Sequence, residues 1–343
     1  MRVIASRSVG APVPLTDHYE AVVCDLCGSP AGRVLARIPS IAAVADPLQR
    51  FCLDGLEFPG GGISLVRCPS CGFGYQNPRL SEEGMRVFYT RFYDPAGPGE
   101  AYHRTPQPDL DAARYRAIAA TGRTSGTVLD VGAGKGYALE AFPAPDWQRH
   151  GLDVSREALE TLRERLPDAI VHEGSLSDRA LAEGSVDVLT MNSTLEHLRD
   201  PVDTLQAARR VLKPHGLLVF NVPNLRCGSR ILARALGEEW IGFTPEHLNY
   251  FSVGVLSRLA REVGFARSSH HTVSYRQARP RWAHLAGQSR TVASGLKRVA
   301  LRRPGGKARL ATGLGIAADW PFSSTGLGRR LTFGENITGL WES

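Results

Sequence analysis

Two cysteine pairs near the start of the chain have the spacing of a metal site. The first pair is Cys24 and Cys27, and the second is Cys68 and Cys71. A Cys-x-x-Cys turn presents two thiolates to one ion, and two such turns complete the four-sulfur tetrahedron that structural zinc prefers. A disulfide framework or a redox-active pair is the alternative. It is disfavoured because the N-terminus lacks the charged and then apolar layout of a signal peptide, which predicts a reducing compartment.

A glycine-rich loop further along the chain could hold a nucleotide-type cofactor. Gly132, Gly134 and Gly136 let the backbone approach a ligand where a Cβ would collide, and the loop opens onto a predicted helix. Asp130 precedes the loop, and Asp153 closes the next predicted strand, where a carboxylate can accept both ribose hydroxyls. The spacing is G-x-G-x-G rather than the dinucleotide fingerprint G-x-G-x-x-G, and the loop alone leaves a nicotinamide dehydrogenase open.

The elements that must position these residues alternate between short β-like runs and helical stretches from about residue 125 onward. This alternation is typical of an α/β domain with a mainly parallel sheet. Strands are predicted at 127–131, 150–154, 169–172, 186–192 and 217–222, and helices at 137–142, 155–166 and 201–212. Residues 265–275 and 331–340 are predicted to form a closing antiparallel pair.

Three ordered segments carry a resemblance to a known family. They run from Ser185 to Asn192, from Leu195 to Pro201 and from Arg210 to Phe220. Over roughly residues 125 to 265 the chain resembles the class I S-adenosylmethionine-dependent methyltransferases, which implies an α/β, Rossmann-like, seven-stranded fold. One departure is His215, where the family usually has glycine. The resemblance implies Gly132, Gly134 and Gly136 for the methionine part, Asp153 for the ribose, Ser175 and Leu176 for adenine, and Asn192 for the methionine and sulfonium side; Asp130 and Val154 complete the expected cofactor-binding residues.

The whole layout narrows the resemblance further. The second cysteine turn followed by Tyr75 to Arg79, and then by the methyltransferase core, is similar to a subgroup found beside antibiotic, deoxysugar and surface-polysaccharide pathways. Residues 245–252 are similar to a segment of zinc-containing sugar C-methyltransferases, whose additional C-terminal domain has no clear counterpart here. The implied organisation is a zinc-ribbon-like module at 1–80, a helical connector or lid at 81–120, and a cofactor-binding domain at 121–343 with a basic insertion at about 277–330.

Four residues are candidates for catalysis. Methyl transfer to an atom that carries a proton needs a base, and His247 is preferred because histidine titrates near neutral pH. Glu246 or another carboxylate could fix its tautomer, and Tyr250 could bond a substrate oxygen. Alternatively, Glu246 and His247 cap the helix beginning near Ser252 and hold a lid in place, with Tyr250 and Phe251 packing beneath it. His197 follows the fourth predicted strand at the level of the substrate, or it opens the next helix together with Glu196.

Two segments leave their role open. The connector contains aromatic residues and arginines that suit either a lid over a polar substrate or packing between the two domains. In the insertion, apolar residues recur at helical spacing opposite a basic face. That face could be solvated, could bind a phosphate-bearing substrate, or could touch anionic lipid.

Cys52 and Cys227 have no partner at ligand spacing and are expected to be buried.

The composition of the chain limits the functions that it can have. The chain has 343 residues, of which 43% are hydrophobic and 22% charged, with a net charge of +7. No stretch approaches the roughly 20 uninterrupted apolar residues of a membrane span, so a cytoplasmic protein is expected. The prediction is a methyltransferase acting on a small or carrier-linked metabolite, a sugar or specialised natural product. An RNA base methyltransferase with a zinc module and a non-catalytic binding protein of the same fold are the alternatives, and nucleic acid is the less favoured partner.

Overall fold

A twisted, mostly parallel sheet carries the predicted cofactor loop in a computed structural model of the chain. The structure describes residues 13–44, 46–94, 97, 108–177, 181–235, 240, 242–273 and 336–343. The strands are β1 (Val13–Thr16), β2 (Tyr19–Ala21), β3 (Arg33–Ile38), β4 (Ile63–Arg67), β5 (Gly74–Gln76), β6 (Arg79–Leu80), β7 (Gly126–Val131), β8 (Trp147–Asp153), β9 (Ile170–Glu173), β10 (Val186–Asn192), β11 (Leu212–Pro223), β12 (Asn249–Tyr250), β13 (Arg267–Val273) and β14 (Asn336–Glu342). The helices are α1 (Pro47–Cys52), α2 (Glu82–Phe92), α3 (Pro108–Ala119), α4 (Arg156–Arg165), α5 (Pro201–Val211), α6 (Gly228–Ala235) and α7 (Val253–Val263).

The large sheet has seven strands in the order β13-β14-β11-β10-β7-β8-β9. Strands β7 to β11 pair in parallel, whereas β14 is antiparallel to both β11 and β13. This confirms the predicted α/β, Rossmann-like, seven-stranded fold and its closing antiparallel pair. The parallel strands are apolar because helices cover the sheet, as the buried Val128 and Leu129 of β7 show. The carboxyl ends of β7, β8 and β10 therefore meet at one edge, where ligands bind in such sheets.

Local sequence sets where the helices begin and end. Ser155 is the N-cap of α4, as predicted, and its hydroxyl accepts a hydrogen bond from the amide of Ala158. The predicted helix at 137–142 is a single 3-10 turn, Ala138–Ala141. It stops there because Pro143 and Pro145 follow, and a proline both lacks an amide donor and disfavours helix in the residue before it.

Strand β11 begins earlier than predicted. The sequence indicates a turn at 213–216, but the backbone continues as strand from Leu212, with a register shift against β10 between Val186 and Val188. His215 stands in this irregularity with φ 63°, in the left-handed region that favours glycine. The departure from the family's usual glycine is therefore accommodated as a bulge at the end of the sheet remote from the cofactor loop.

A second sheet joins the N-terminal module to a late segment of the chain. Its order is β12-β5-β4-β3, and β12 pairs with β5 in antiparallel fashion. Cys68 and Phe73 belong to the same buried apolar cluster as Met191 and Phe220 of the large sheet. The segment that contains Cys68 and Phe73 therefore packs into the same core as the large sheet. Cys52 and Cys227 are fully buried, as predicted.

A buried arginine fastens the first cysteine turn to the large domain. Arg79 is 3% exposed and donates to the carboxylates of Glu20 at 2.9 Å and Asp25 at 3.0 Å. It also donates to the backbone carbonyl of Arg199. A buried charge is stable when it is paired in this way.

Among the described helices, none combines the length and the apolar character needed to cross a bilayer. The predicted basic insertion at 277–330 lies outside the described residues.

Candidate active site

The glycine loop follows β7 and depends on a threonine from the neighbouring strand's loop. A Cβ on Gly132 would lie 2.4 Å from the hydroxyl oxygen of Thr194, and the glycine has φ 75°. Thr194 is fixed because its hydroxyl donates to the carbonyl of Val131 at 3.0 Å. Gly134 and Gly136 also have positive φ, at 51° and 80°. The loop is thus a tight cradle that only glycine can form, as a cofactor-binding turn requires.

Asp153 lies at the end of β8, beside this cradle. Its two carboxylate oxygens accept hydrogen bonds from the amide of Gly134 at 2.8 Å and the amide of Ser155 at 2.9 Å. Burial raises the pKa of Asp153, and hydrogen bonds from the amides of Ser155, Gly134 and Val154 oppose that rise. The two oxygens have four lone pairs in all, so these three amides leave one lone pair for a ribose hydroxyl. Val154 follows with 64% of its surface exposed and offers an apolar contact next to that position.

The remaining predicted cofactor residues lie either beneath the glycine loop or at the ends of strands. Asp130 is 2% exposed and accepts from the hydroxyl of Thr190, and burial raises its pKa to about 7. It therefore joins β7 to β10 beneath the loop. Asn192 ends β10, and its side-chain carbonyl oxygen is buried without a partner among the described residues, as expected of a group that receives a ligand donor. Ser175 and Leu176 follow β9, where Leu176 is buried.

The four cysteines of the N-terminal module converge on one point. The sulfur of Cys24 lies 3.4 Å from that of Cys71, and the sulfur of Cys27 lies 3.5 Å from that of Cys68. All four sulfur atoms lie within 4.8 Å of one another. A disulfide needs about 2.0 Å, whereas four sulfurs at 2.3 Å from one zinc ion lie about 3.8 Å apart. The distances therefore fit a zinc tetrahedron, with cysteines 24, 27, 68 and 71 as its ligands.

Both cysteine turns have the same backbone geometry. The amide of Gly28 donates to the carbonyl of Cys24 at 2.7 Å, and the amide of Gly72 donates to that of Cys68 at 2.9 Å. The two glycines have φ 70° and 77°. This matched pair of turns is the knuckle predicted from the glycine that follows each Cys-x-x-Cys.

Two Glu-His pairs, 50 residues apart in sequence, meet beyond the end of β10. The rings of His197 and His247 have centroids 4.7 Å apart, edge to face. The amide of Leu248 donates to the carbonyl of Glu196 at 2.8 Å and holds the two segments together. Glu196 and His197 form a 3-10 turn, Leu195–His197, ahead of α5, so they do not open that helix. Nor do Glu246 and His247 cap α7, which begins after Ser252.

Backbone carbonyls determine which nitrogen of each histidine ring carries the proton. Nδ1 of His197 lies 3.0 Å from the carbonyl of Glu246, and His247 bonds to the carbonyl of Gly242. A carbonyl only accepts, so each of these nitrogens carries hydrogen and the other keeps its lone pair. In His247 that other nitrogen is Nδ1, which is buried without a partner among the described residues. Burial lowers the pKa of His197 to about 4 and that of His247 well below its ordinary value, so both rings are neutral acceptors.

The carboxyl group of Glu196 lies close to both histidine rings. One oxygen of Glu196 and one ring nitrogen of each histidine lie within 4.8 Å of one another. Glu246 instead accepts from the side chain of Gln49 in α1 at 2.8 Å. The sequence proposed Glu246 or another carboxylate as the partner of His247. The structure brings Glu196 there, and the signal in the sequence was the repeated Glu-His dipeptide.

Tyr250 has a supporting position. It is 1% exposed, and its hydroxyl accepts from the amide and donates to the carbonyl of Thr244, at 3.2 Å in each case. These bonds close the loop that presents His247. The hydroxyl thus lies in the protein interior, as in the alternative in which Tyr250 packs beneath a lid.

Aromatic side chains of the connector, in α2 and in the residue that follows it, contact both the glycine loop and the histidine pair. The hydroxyl of Tyr93 lies 3.3 Å from the position of a Cβ on Gly134. Tyr89 stacks on Tyr93 and contacts the ring of His197, with centroids 6.2 and 6.1 Å apart. The sequence left open whether these rings form a lid or a packing surface. Their contacts run from the glycine loop to the histidine pair, so they cover the space between them.

Comparison with known proteins gives consistent matches over this region. A family model described as a methyltransferase domain matches residues 102–270. The chain is 31% identical to a ubiquinone biosynthesis O-methyltransferase of Thiobacillus denitrificans, over 51% of this chain and 77% of that protein. It is 33% identical to an uncharacterised transposon protein of Streptomyces fradiae, over 39% of this chain and only 42% of that protein. A possible histamine N-methyltransferase of Thermotoga maritima superposes with a TM-score of 0.46 at 16% identity, covering 74% of this chain and 99% of that one.

Proposed function

We propose a substrate class and a catalytic base for this chain, which belongs to the S-adenosylmethionine-dependent methyltransferases. The acceptor is a small or carrier-linked metabolite, a sugar or a specialised natural product, and His247 removes its proton. The observation that carries this proposal is the convergence of Glu196, His197 and His247 beyond the end of β10. Such a concentration of acid and base groups suits an acceptor whose proton must be taken during transfer.

The residues at the strand ends suit the cofactor. S-adenosylmethionine, when bound, supplies a methyl group on a positively charged sulfonium. The cradle at Gly132 and Gly134 accommodates the methionine part, the carboxylate of Asp153 keeps one lone pair for the ribose, and Val154 offers an apolar surface. The unpartnered carbonyl oxygen of Asn192 suits an ammonium donor. These positions support cofactor binding from residues of this chain alone.

Proton removal falls to Nδ1 of His247. Its lone pair is directed by the bond of the other ring nitrogen to Gly242, and burial keeps the ring neutral. With S-adenosylmethionine bound, this nitrogen would take the proton that the acceptor atom releases on methylation. His197 lies at van der Waals distance and can hold the acceptor through its free Nε2. The geometry is compatible with a hydroxyl or an acidic carbon as acceptor.

A nucleic-acid base is a poorer acceptor for this site. Many base N-methylating enzymes use an Asn-Pro-Pro-aromatic loop, and the run from Asn221 to Asn224 does not match that pattern. Asn224 is fully buried, and its side chain accepts from the amide of Arg226. Asn221 is 7% exposed. Neither side chain is available to bind the amino group of a flipped base.

We propose that the four cysteines hold one structural zinc ion. The sulfur distances support this, and so does the absence of any disulfide among the described cysteines. The ion would clamp the two knuckles at the end of the sheet that contains β5 and β12. Its contribution to the reaction is then structural, since it supports the strand that follows His247.

A substrate screen tests the proposed function. Nucleotide sugars and glycosylated natural products are incubated with the purified chain and S-adenosylmethionine, and methylated products are identified by mass spectrometry. Catechol precursors of quinones form a second arm, because the O-methyltransferase relative acts in ubiquinone biosynthesis by its name. An rRNA transcript forms the third. Product from a sugar or glycoside supports the proposal. Methylation of RNA alone, or of catechols alone, would replace the proposed substrate class.

A further inference from the structure

We propose that Glu196 is a positioning residue for the base: once ionised, its carboxylate stabilises the imidazolium that His247 becomes on accepting the proton. The inference rests on the proposed function, because it needs His247 to be the base. It assigns to Glu196 a role that the adjacent Glu246 would have been expected to hold.

Geometry separates the two glutamates. Glu196 is 1% exposed, and its Oε2 is buried without a partner among the described residues. Another observation is that a Glu196 oxygen lies within 4.8 Å of a ring nitrogen of both histidines. Oε2 of Glu246 is likewise buried without a partner among the described residues, but the other oxygen of Glu246 accepts from the side chain of Gln49, and Glu246 does not belong to the group formed with the histidines. The charge of the Glu196 carboxyl therefore acts directly on the two histidine rings.

The tautomers of the rings explain why such a group is needed. Each histidine donates to a backbone carbonyl, so neither ring has a carboxylate partner for its bound proton. A neutral, buried imidazole is a weak base, because nothing nearby stabilises its charged form. A carboxylate within about 4 to 6 Å favours that form by roughly ten- to a thousandfold in the protonation equilibrium. Ionised Glu196 would therefore make His247 an effective base.

The charge of Glu196 is itself set by its surroundings. Burial raises the pKa of Glu196 to about 8, and the negative charge of Glu246 adds to the rise. The other titratable groups that face it are His197, His247 and the hydroxyls of Tyr89 and Tyr250. None of these is positively charged at neutral pH. Glu196 is therefore largely protonated below pH 8 and ionises above it, so the basicity of His247 should increase as the pH rises through about 8.

NMR of the full chain tests this without a known acceptor. The protein carries ring-15N histidine and is saturated with S-adenosylhomocysteine, and His197→Asn and His247→Asn assign the signals. From about pH 6 to pH 10, the ring signals of His247 should move in one step with a midpoint near 8. Glu196→Gln should abolish that step. Glu246→Gln, the matched control, should retain the step at a lower midpoint, because the negative charge of Glu246 contributes to the raised pKa of Glu196.

Several results would overturn the proposal. These are a His247 signal that stays fixed across the range, or a step that survives Glu196→Gln. Should Glu196→Gln fail to fold, Glu196→Asp and a 13C-carboxyl glutamate titration of the wild type replace it, and the carboxyl midpoint must coincide with the His247 step. Added Mn²⁺ that broadens both histidine signals in the wild type, but not in Glu196→Gln, would show that the cluster holds a cation instead.

A failure of the role proposed for Glu196 can be distinguished from a failure of the proposed function. If the chain were not a methyltransferase of this substrate class, no sugar or glycoside would be methylated while the pH step at His247 remained. If only the role of Glu196 were wrong, product would form and the rate would show no rise near pH 8 that depends on Glu196. With an acceptor from the screen, the pH profile of kcat in Glu196→Gln gives the same answer independently.

Discussion

Tyr75 of β5 lies opposite Asn249 of β12 in an antiparallel pair. Tyr75 follows the second cysteine pair by four residues, and Asn249 follows His247 by two. The amide of Gln76 also donates to the carbonyl of Leu248 at 2.9 Å. The second cysteine turn and the proposed base are thus joined by one short sheet, and a change at the cysteines reaches His247 without crossing the large parallel sheet.

The first prediction concerns the metal. Purified protein should contain about one zinc per chain, and Cys68→Ser should remove it and lower the melting temperature, because structural zinc contributes folding free energy. Affinity for S-adenosylmethionine should largely remain, since the cofactor loop belongs to the other sheet. Metal analysis and calorimetry measure these effects. Cys52→Ala, at a buried cysteine outside the cluster, should keep its zinc. Freshly purified wild type without zinc would contradict the assignment.

The second prediction concerns the ribose site. Asp153→Ala removes the carboxylate that suits the ribose hydroxyls, and loss of a charge-assisted hydrogen bond should weaken S-adenosylmethionine binding by roughly 1.5 to 3 kcal/mol, about ten- to a hundredfold. Asp153→Asn keeps the shape and should lose less. Asp168→Asn, whose carboxylate pairs with Arg149 at the surface, is the control and should bind normally. Unchanged calorimetric affinity in folded Asp153→Ala would place the pocket elsewhere.

The third prediction concerns the cradle. Gly132→Ala places a Cβ against the hydroxyl of Thr194 at a positive φ, so both sterics and backbone strain oppose it. We expect a loss of about 1 to 3 kcal/mol in stability and a weaker affinity for the cofactor. Gly184→Ala is matched in φ, at 61°, but meets nothing within 4 Å, so it isolates the backbone cost. Equal effects of the two substitutions in melting and binding experiments would refute the steric argument.

The fourth prediction concerns pH and stability. Burial raises the pKa of Asp130 to about 7, well above that of an aspartate in the unfolded chain. The unfolded chain therefore releases this proton first, and stability falls as the pH rises from about 4 towards 7. Asp130→Asn cannot ionise and can still accept from Thr190, so its melting temperature should depend less on pH in that window. A variant that keeps the full wild-type slope in thermal melts would exclude Asp130 as its source.

The sequence predicted the parts of this site that depend on local pattern. The glycine loop, Asp153 and the capping serine Ser155 follow from spacing and strand ends, and each occupies its predicted place. The meeting of Glu196 with His247 could not be predicted in the same way. It depends on a two-residue strand, β12, pairing with the N-terminal module across more than 170 residues of sequence. A strand so short has no periodicity to detect, and its position is fixed by packing alone.

The last prediction separates base from scaffold at His247. If this side chain takes the proton, His247→Asn should keep the fold and the cofactor affinity but lower kcat by about 10²- to 10⁴-fold. If it only supports the loop closed by Tyr250, the same substitution should mainly raise KM and lower the melting temperature. His215→Asn is the control, because that side chain is 82% exposed at the opposite end of the sheet and asparagine tolerates its φ of 63°. Near-normal turnover of His247→Asn at saturating acceptor would remove His247 from the mechanism and leave His197, whose free Nε2 faces the same space, as the remaining candidate.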